Sequence, residues 1–353
     1  MDCAFLVPGD LPGPSGGTIY NTEVIAALIE GGHRVQVHAI PGAWPRPTGQ
    51  DRWALETALS AHPLVVVDGI MALAAPEEVA SAARRGTRVH ILIHSLLTAD
   101  PSLGPDERSA FADTEGAALR AASSCSASSE WSASDVRLRC PGALPRVVRP
   151  GTVPAPPAGG SDPPQMLVLA ALTPVKNQQL VLQALHQVSG LEWSLRLVGS
   201  DFVDPGYARQ LRRMATDCFA PGRVTVTGAL TGSALEDVWA TTDLLLLTST
   251  SETFGMVITE GLSRGIPAVV AKGTGAVEAL LGVHDGNGEA LSGDRVAGAV
   301  VPARNASALA HTLRCWLSNP ETRAEWRAAA LARRPRLQTW THTAAELARI
   351  LKT

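Results

Sequence analysis

Two doubly wound α/β domains in tandem are the fold that this chain of 353 residues predicts. Three observations carry that expectation. Short apolar runs alternate with stretches of helical periodicity, the pattern of buried parallel strands joined by crossover helices. A Pro/Gly-rich segment at 150–164, PGTVPAPPAGGSDPP, breaks the alternation and has no apolar periodicity, as a linker would. The alternation then restarts, and the length exceeds what one core usually fills, ~250–300 residues.

Taken in order, CAFLVPG is a strand, and residues 18–30 form a helix that Gly31-Gly32 ends. RVQVHAI, LVVVDG and RVHILIH are further strands, residues 111–123 a helix, and VVRPG at 147–151 a last short strand. Beyond the linker the strands are MLVLAAL, WSLRLVGS, RVTVTGA, LLLLTST, IPAVVAK and AVVPA. The helices between and after them span 177–188, 207–217, 233–241, 252–264, 275–281, 306–317 and 321–333, with a final helix at 343–351. Domains are thus expected at 1–155 and 165–335, followed by a C-terminal segment at 336–353. Two such domains leave a cleft between them, and ligands of such sheets bind beyond the carboxyl ends of the strands.

Composition narrows the function. The chain is 45% hydrophobic, 18% charged and 4% aromatic, a globular profile. A net charge of −3 with no basic stripe argues against nucleic acid. The first 150 residues hold 12 Arg, no Lys and 16 acids, so an anionic membrane surface is not an obvious partner. The five cysteines are odd in number and lack metal-ligand spacing, which suggests free thiols in a reducing cytoplasm. No basic stretch precedes the first apolar run, and no apolar run reaches ~18 residues, so neither a signal peptide nor a transmembrane segment is expected. No G-x-G-x-x-G follows a strand, which disfavours a dinucleotide dehydrogenase, and no Lys follows the glycines of GPSGGT, which excludes a P-loop. No Asp-x-Asp pair suggests a metal, and none is expected. Abundant Ala and Arg with only three Lys point to a GC-rich bacterial genome.

Chemistry is therefore sought at strand ends. In TSTSETFGMVITEGLSRGIPAVV, Glu252 leaves the strand LLLLTST at the start of the expected helix. The amides of Thr253, Phe254, Gly255 and Met256 would be the unpaired donors of that helix start, suited to a phosphate or diphosphate. Glu260 lies eight positions on, about 80° round and ~12 Å along such a helix, so both acids could meet one extended ligand such as a nucleotide sugar. A first-turn acid and a solvated helix-face acid are the plainer readings of the two. His94 ends RVHILIH and points at the cleft, whereas His90 is taken as structural. Lys176 sits in TPVKNQ, one of three lysines with Lys272 and Lys352. Gly16-Gly17 opens the first helix as a glycine-rich loop or an ordinary turn. Asp68 ends LVVV as a candidate acceptor contact or a turn cap.

Glu252-Thr-Phe254-Gly255 followed by Glu260-Gly-Leu-Ser-Arg-Gly-Ile-Pro267 resembles the donor-site signature of family 4 retaining glycosyltransferases. The resemblance extends over most of the chain. It implies the GT-B fold, two Rossmann-like domains, with the first on the acceptor side and the second binding the nucleotide sugar. By the same resemblance Glu252 binds sugar hydroxyls and orients the donor, Glu260 holds the ribose, and His94 touches the donor sugar. Lys176 would lie near the diphosphate, Gly16 and Gly17 beside the donor phosphates and acceptor, and Gly228 in TVTGAL at the nucleobase. Glu278 resembles a later acid of the pattern, and Trp340 with the helix after it the segment that crosses back onto the first domain. One position departs from the pattern: where the family carries an Arg five residues before the Lys, this chain has Ala171. That leaves one fewer fixed cation for the leaving diphosphate, unless another group such as Lys272 substitutes.

The activity implied is transfer of a sugar from a nucleotide-sugar donor, a UDP- or GDP-sugar, to an acceptor hydroxyl, with retention and without a metal or other cofactor. The acceptor would be a small molecule, a glycan or a lipid-linked species. Two alternatives stay open: an impaired protein that only binds nucleotide or sugar, and a nucleotide-sugar epimerase or hydrolase on the same fold.

Overall fold

The computed structural model describes residues 1–11, 15–282 and 296–352. The chain forms two compact units, one of Met1–Gly151 with Gln338–Thr353 and the other of Thr152–Leu337. Each is built on one six-stranded parallel sheet with helices between the strands.

In the first unit the strands are β1 (Asp2–Pro8), β2 (Arg34–Ile40), β3 (Leu64–Asp68), β4 (Arg88–Ile93), β5 (Ser124–Ala127) and β6 (Arg146–Val147). They lie in the order β2-β1-β3-β4-β5-β6. β3 is buried along its whole length and β4 after its first residue, as strands covered on both faces must be. The second unit holds β7 (Gln165–Leu169), β8 (Ser194–Val198), β9 (Val224–Gly228), β10 (Leu244–Leu247), β11 (Ala268–Ala271) and β12 (Gly298–Val301). Its order, β12-β11-β10-β7-β8-β9, puts its first and fourth strands side by side, the arrangement of a dinucleotide-type sheet.

The strands follow the apolar runs to within about two residues at most ends, while several helices of the first unit differ from expectation. The helix expected at 111–123 is Pro105–Ala121, because Pro105, Asp106 and Glu107 make a favourable first turn that carries no apolar signal. Gly49–Ser60, Pro76–Arg84 and Glu130–Arg139 are additional helices, and β5 an additional strand. The sequence of β5, SCSA, is too small and polar to show as an apolar run. It is held instead through fully buried His90 on β4, whose Nδ1 and Nε2 meet Ser124 Oγ at 2.8 Å and Ser126 Oγ at 2.9 Å. Burial lowers the His90 pKa to about 4.

The C-terminal helix Trp340–Lys352 buries Thr343, Ala344, Leu347, Ala348 and Leu351, a stripe at helical spacing, and packs on the helix Gly16–Glu30. Gln338 Nε2 and Thr343 Oγ1 donate to the Arg149 carbonyl at 3.0 and 2.8 Å, and Tyr20 Oη donates to the Val148 carbonyl at 3.0 Å. Gly151 completes this closure, since a Cβ there would lie 2.3 Å from the Trp340 nitrogen. Residues 155–161 of the Pro/Gly-rich segment are fixed to the second unit and do not hang free. Ala158 N donates to the Arg264 carbonyl at 2.8 Å, Gly159 N to the Ala240 carbonyl at 2.9 Å, and Ser161 Oγ to Asp243 at 3.0 Å.

Two predictions concern stability. Gly151→Ala should destabilise the first unit by about 1–3 kcal/mol or more, because backbone must move to admit the methyl. Gly190→Ala, with open space around it, is the control, and urea midpoints compare them. For His90 the unfolded chain takes up a proton near pH 6.5 and the folded chain only near pH 4. Stability should therefore fall as pH drops through that window, by on the order of 3 kcal/mol, and level off below it. His90→Gln should flatten that slope in urea titrations at pH 7.5, 5.5 and 4.

Candidate functional site

The second unit brings its strand-end groups together where β7 and β10 adjoin. The chain leaves β7 through a short 3-10 turn, Pro174–Lys176, and leaves β10 through residues 248–255. Backbone and side-chain bonds tie the two exits. Thr250 N donates to the Val175 carbonyl at 2.8 Å, and Thr248 Oγ1 to the Asn177 carbonyl at 3.2 Å. Asn177 sits in the left-handed region at φ 56°, which Asn tolerates better than most residues. Its Nδ2 donates to the carbonyls of Thr248 (3.2 Å) and Ala303 (3.0 Å), so one side chain joins the exits of β7, β10 and β12. On this frame Lys176 Nζ meets Glu252 Oε2 at 2.7 Å. Their side chains keep 26% and 15% of their exposure, so the pair is largely buried, and parting it requires a new partner for each charge. Ser249, in the exit of β10, is buried, and its hydroxyl has no partner among the described residues.

Glu252 does not begin a helix. The helix runs Met256–Ser263, four residues later than its periodicity suggests. Gly255 before it has φ +84°, which an α-helix cannot carry through, and the Glu252 carbonyl accepts from Gly275 N at 2.7 Å. Glu252 and Glu260 are thus not two acids of one helix. Glu260 lies half-buried on it and Glu252 in the turn ahead. Of the amides 253–256, only that of Met256 is helical. Phe254 is 6% exposed and packs in the apolar cluster with Leu247, Ile258 and Ala276. Gly255 is required by packing too, because its Cβ would stand 2.9 Å from Leu247 Cδ2. At the end of β9 the Gly228 carbonyl accepts from Gly199 N at 2.9 Å. Nearby Asp201 pairs with Arg212 at 2.6 Å, which holds its carboxyl below the usual range. Ala171 offers only its carbonyl, which accepts from Gln178 Nε2 at 2.8 Å.

In the first unit the cluster forms where β1 and β3 adjoin and the sheet order reverses. Ser15 caps the helix Gly16–Glu30, leaving Gly16 against open space. Gly17 lies on the ring of His94: a Cβ there would be 2.9 Å from His94 Cδ2. His94 follows β4, and its Nε2 meets Asn21 Oδ1 at 2.8 Å, with Asp68 Oδ2 at 3.6 Å. Burial lowers the His94 pKa, and the Asp68 charge opposes that. The Tyr20 ring meets His94 edge-on, centroids 5.2 Å apart. Asp68 is not a free strand-end acid. It is 4% exposed, Oδ1 accepts from Ile70 N at 2.9 Å, and Oδ2 accepts from Asn21 Nδ2 at 2.6 Å.

Sequence reasoning singled out neither Asn21 nor Asn177 nor Gly275. An Asn within the first helix, among poor helix formers, was a signal that it serves something other than the helix. Among the described residues no group of three or more His, Cys, Asp or Glu is placed to hold a metal ion, and no helix is long and apolar enough to cross a membrane.

Gly255→Ala should cost about 1–3 kcal/mol through both its positive φ and the Leu247 contact. Urea denaturation should show this loss, and Gly273→Ala, equally left-handed but in open space, should lose less.

The model of the family described as glycosyl transferases group 1 matches residues 155–333. No curated protein sequence matches the chain. Solved structures are similar over its whole length. Sucrose-phosphate synthase from Thermosynechococcus elongatus is 16% identical at a TM-score of 0.80, covering 100% of this chain and 98% of its own. HepE from Anabaena, in complex with UDP-glucose, is 20% identical at 0.75, covering 100% and 99%. WaaG, a glycosyltransferase of lipopolysaccharide biosynthesis, is 15% identical at 0.72, covering 99% of each. The likeness shows the fold, two parallel-sheet units of the GT-B type.

Proposed function

This chain belongs to the glycosyl transferases group 1 family, and we propose that it moves a sugar from a nucleotide sugar to an acceptor hydroxyl with retention of anomeric configuration, as family 4 enzymes do. The observation that carries the reading is the Lys176–Glu252 pair, 2.7 Å apart where β7 and β10 adjoin. A cation beside a partly buried carboxylate at a strand-end switch suits a ligand with a diphosphate and a hydroxylated ring, which would give each charge a new partner. On binding, Lys176 turns from Glu252 to the diphosphate and stabilises the departing charge, while Glu252 takes sugar hydroxyls and orients the donor. The amides around residues 253–256 and of Gly16 and Gly17 add donors, Glu260 holds the ribose, and Gly228 borders the base. His94 touches the donor sugar. The acceptor proton passes to the leaving phosphate on the same face, so no separate base is assigned. Neither metal nor other cofactor enters this scheme, and the nucleotide sugar is a co-substrate.

A UDP-sugar is the first donor to try, since HepE is known in complex with UDP-glucose, and a GDP-sugar the second. The acceptor is a small molecule, a glycan or a lipid-linked species, and the enzyme works in a bacterial cytoplasm. Ala171 supports a second reading, a protein that binds nucleotide without turnover.

Thermal unfolding with UDP, GDP, ADP and TDP tests the donor site. One nucleotide should raise the melting temperature by roughly 5 °C at ~100 times its Kd, and Lys176→Ala should abolish the shift. No shift with any of the four sinks the donor-site reading. Where a donor is found, NMR of the first product should show the donor's anomeric configuration at undiminished rate in EDTA. Binding without turnover in both wild type and Glu252→Ala would leave the second reading standing.

A further inference from the structure

We propose that Asn21 and Asp68 are positioning residues that fix His94 in its Nε2–H tautomer, so that Nδ1 offers a lone pair to a substrate hydroxyl. The assignment follows from which groups can donate. The Asp68 carboxylate only accepts, and it takes Ile70 N–H at Oδ1 and Asn21 Nδ2–H at Oδ2. The Asn21 amide is thereby oriented, nitrogen to Asp68 and oxygen to His94. Turning the amide over would set its oxygen 2.6 Å from a carboxylate oxygen, two acceptors face to face. His94 Nε2 therefore faces two acceptors, Asn21 Oδ1 at 2.8 Å and Asp68 Oδ2 at 3.6 Å, and carries the proton.

The ring is held in this pose. Gly17 backbone covers its Cδ2 side and Tyr20 meets it edge-on. Tyr20 is itself anchored by its bond to the Val148 carbonyl and its edge contact with Trp340. Burial favours the neutral ring, against the opposing charge of Asp68. Nδ1 has no hydrogen-bond partner among the described residues, and the side chain keeps 18% of its exposure. A neutral nitrogen lone pair accepts from O–H and repels a phosphate oxygen. His94 thus reads a hydroxyl and not a phosphate, and Asp68 acts through Asn21 without touching the acceptor. That the hydroxyl belongs to a sugar rests on the proposed function, but the tautomer does not.

Long-range 15N–1H correlation spectra of 15N-histidine-labelled protein at pH 7.5 read the tautomer directly, with His94→Gln identifying the signal. Wild type should show protonated Nε2 and bare Nδ1. Asp68→Asn frees the amide to turn over, and Asn21→Leu removes it. Either should bring up the Nδ1–H form. In turnover each should lose about tenfold or more in kcat/KM, the size of one lost hydrogen bond. A deoxy donor lacking the bonded hydroxyl should lose nothing further on Asp68→Asn. An Nδ1–H signal in wild type overturns the proposal, as does a tautomer that neither variant changes. If one variant fails to fold, the wild-type spectrum and the other variant still decide. If no donor is turned over, the transferase reading fails, and the spectra still decide the relay.

Discussion

All neighbouring strands in both sheets run parallel, and a parallel sheet needs its two faces covered by the crossovers that join its strands. That constraint determines much else in each unit. Every strand exits at the same edge, so polar side chains just past the strands gather there. Where consecutive crossovers go to opposite faces, the exits diverge and leave room. Lys176 and Glu252 stand at such a place in the second unit, and Asp68 with Asn21 in the first. In both units the edge is reinforced by amides and hydroxyls that bond across strands, chiefly Asn177 in one and Asn21 in the other.

The tandem α/β architecture was legible because a buried parallel strand is written as an unbroken apolar run, as in LVVV and LLLL, and because a proline-rich break separates two such series. Less legible were elements whose stability comes from outside their own residues. β5 is held by a histidine on its neighbour, and the first turn of Pro105–Ala121, though made by its own Pro105, Asp106 and Glu107, carries no apolar signal to read. The start of Met256–Ser263 was misjudged for a related reason. Periodicity records which positions face the core and is blind to the positive φ that Gly255 adopts.

Within the candidate site, residue types were legible and their relations were not. Glu252, Lys176, His94 and Asp68 can be read as polar groups just past strand ends, and a list of residues goes no further. That Lys176 bonds Glu252, or that both Asp68 oxygens are engaged, depends on strand order, which no local pattern encodes. Gly17 and Gly255 show the same limit. Each was read for the amides it could offer a phosphate, and the structure adds a packing role, since an added Cβ would meet the His94 ring or the Leu247 side chain.

The turn that carries Glu252 is pinned on both sides, by Gly275 N on the Glu252 carbonyl and by Thr250 N on the Val175 carbonyl. A Cβ on Gly275 would fall 2.0 Å from the Thr253 carbonyl oxygen, so the backbone there is in contact with little space to shift. Glu252 can therefore leave Lys176 by rotating its own side chain, with no loop to reorder first. For the ligand proposed at this pair, exchange of partners would then wait on side-chain torsions and dehydration and on no loop motion.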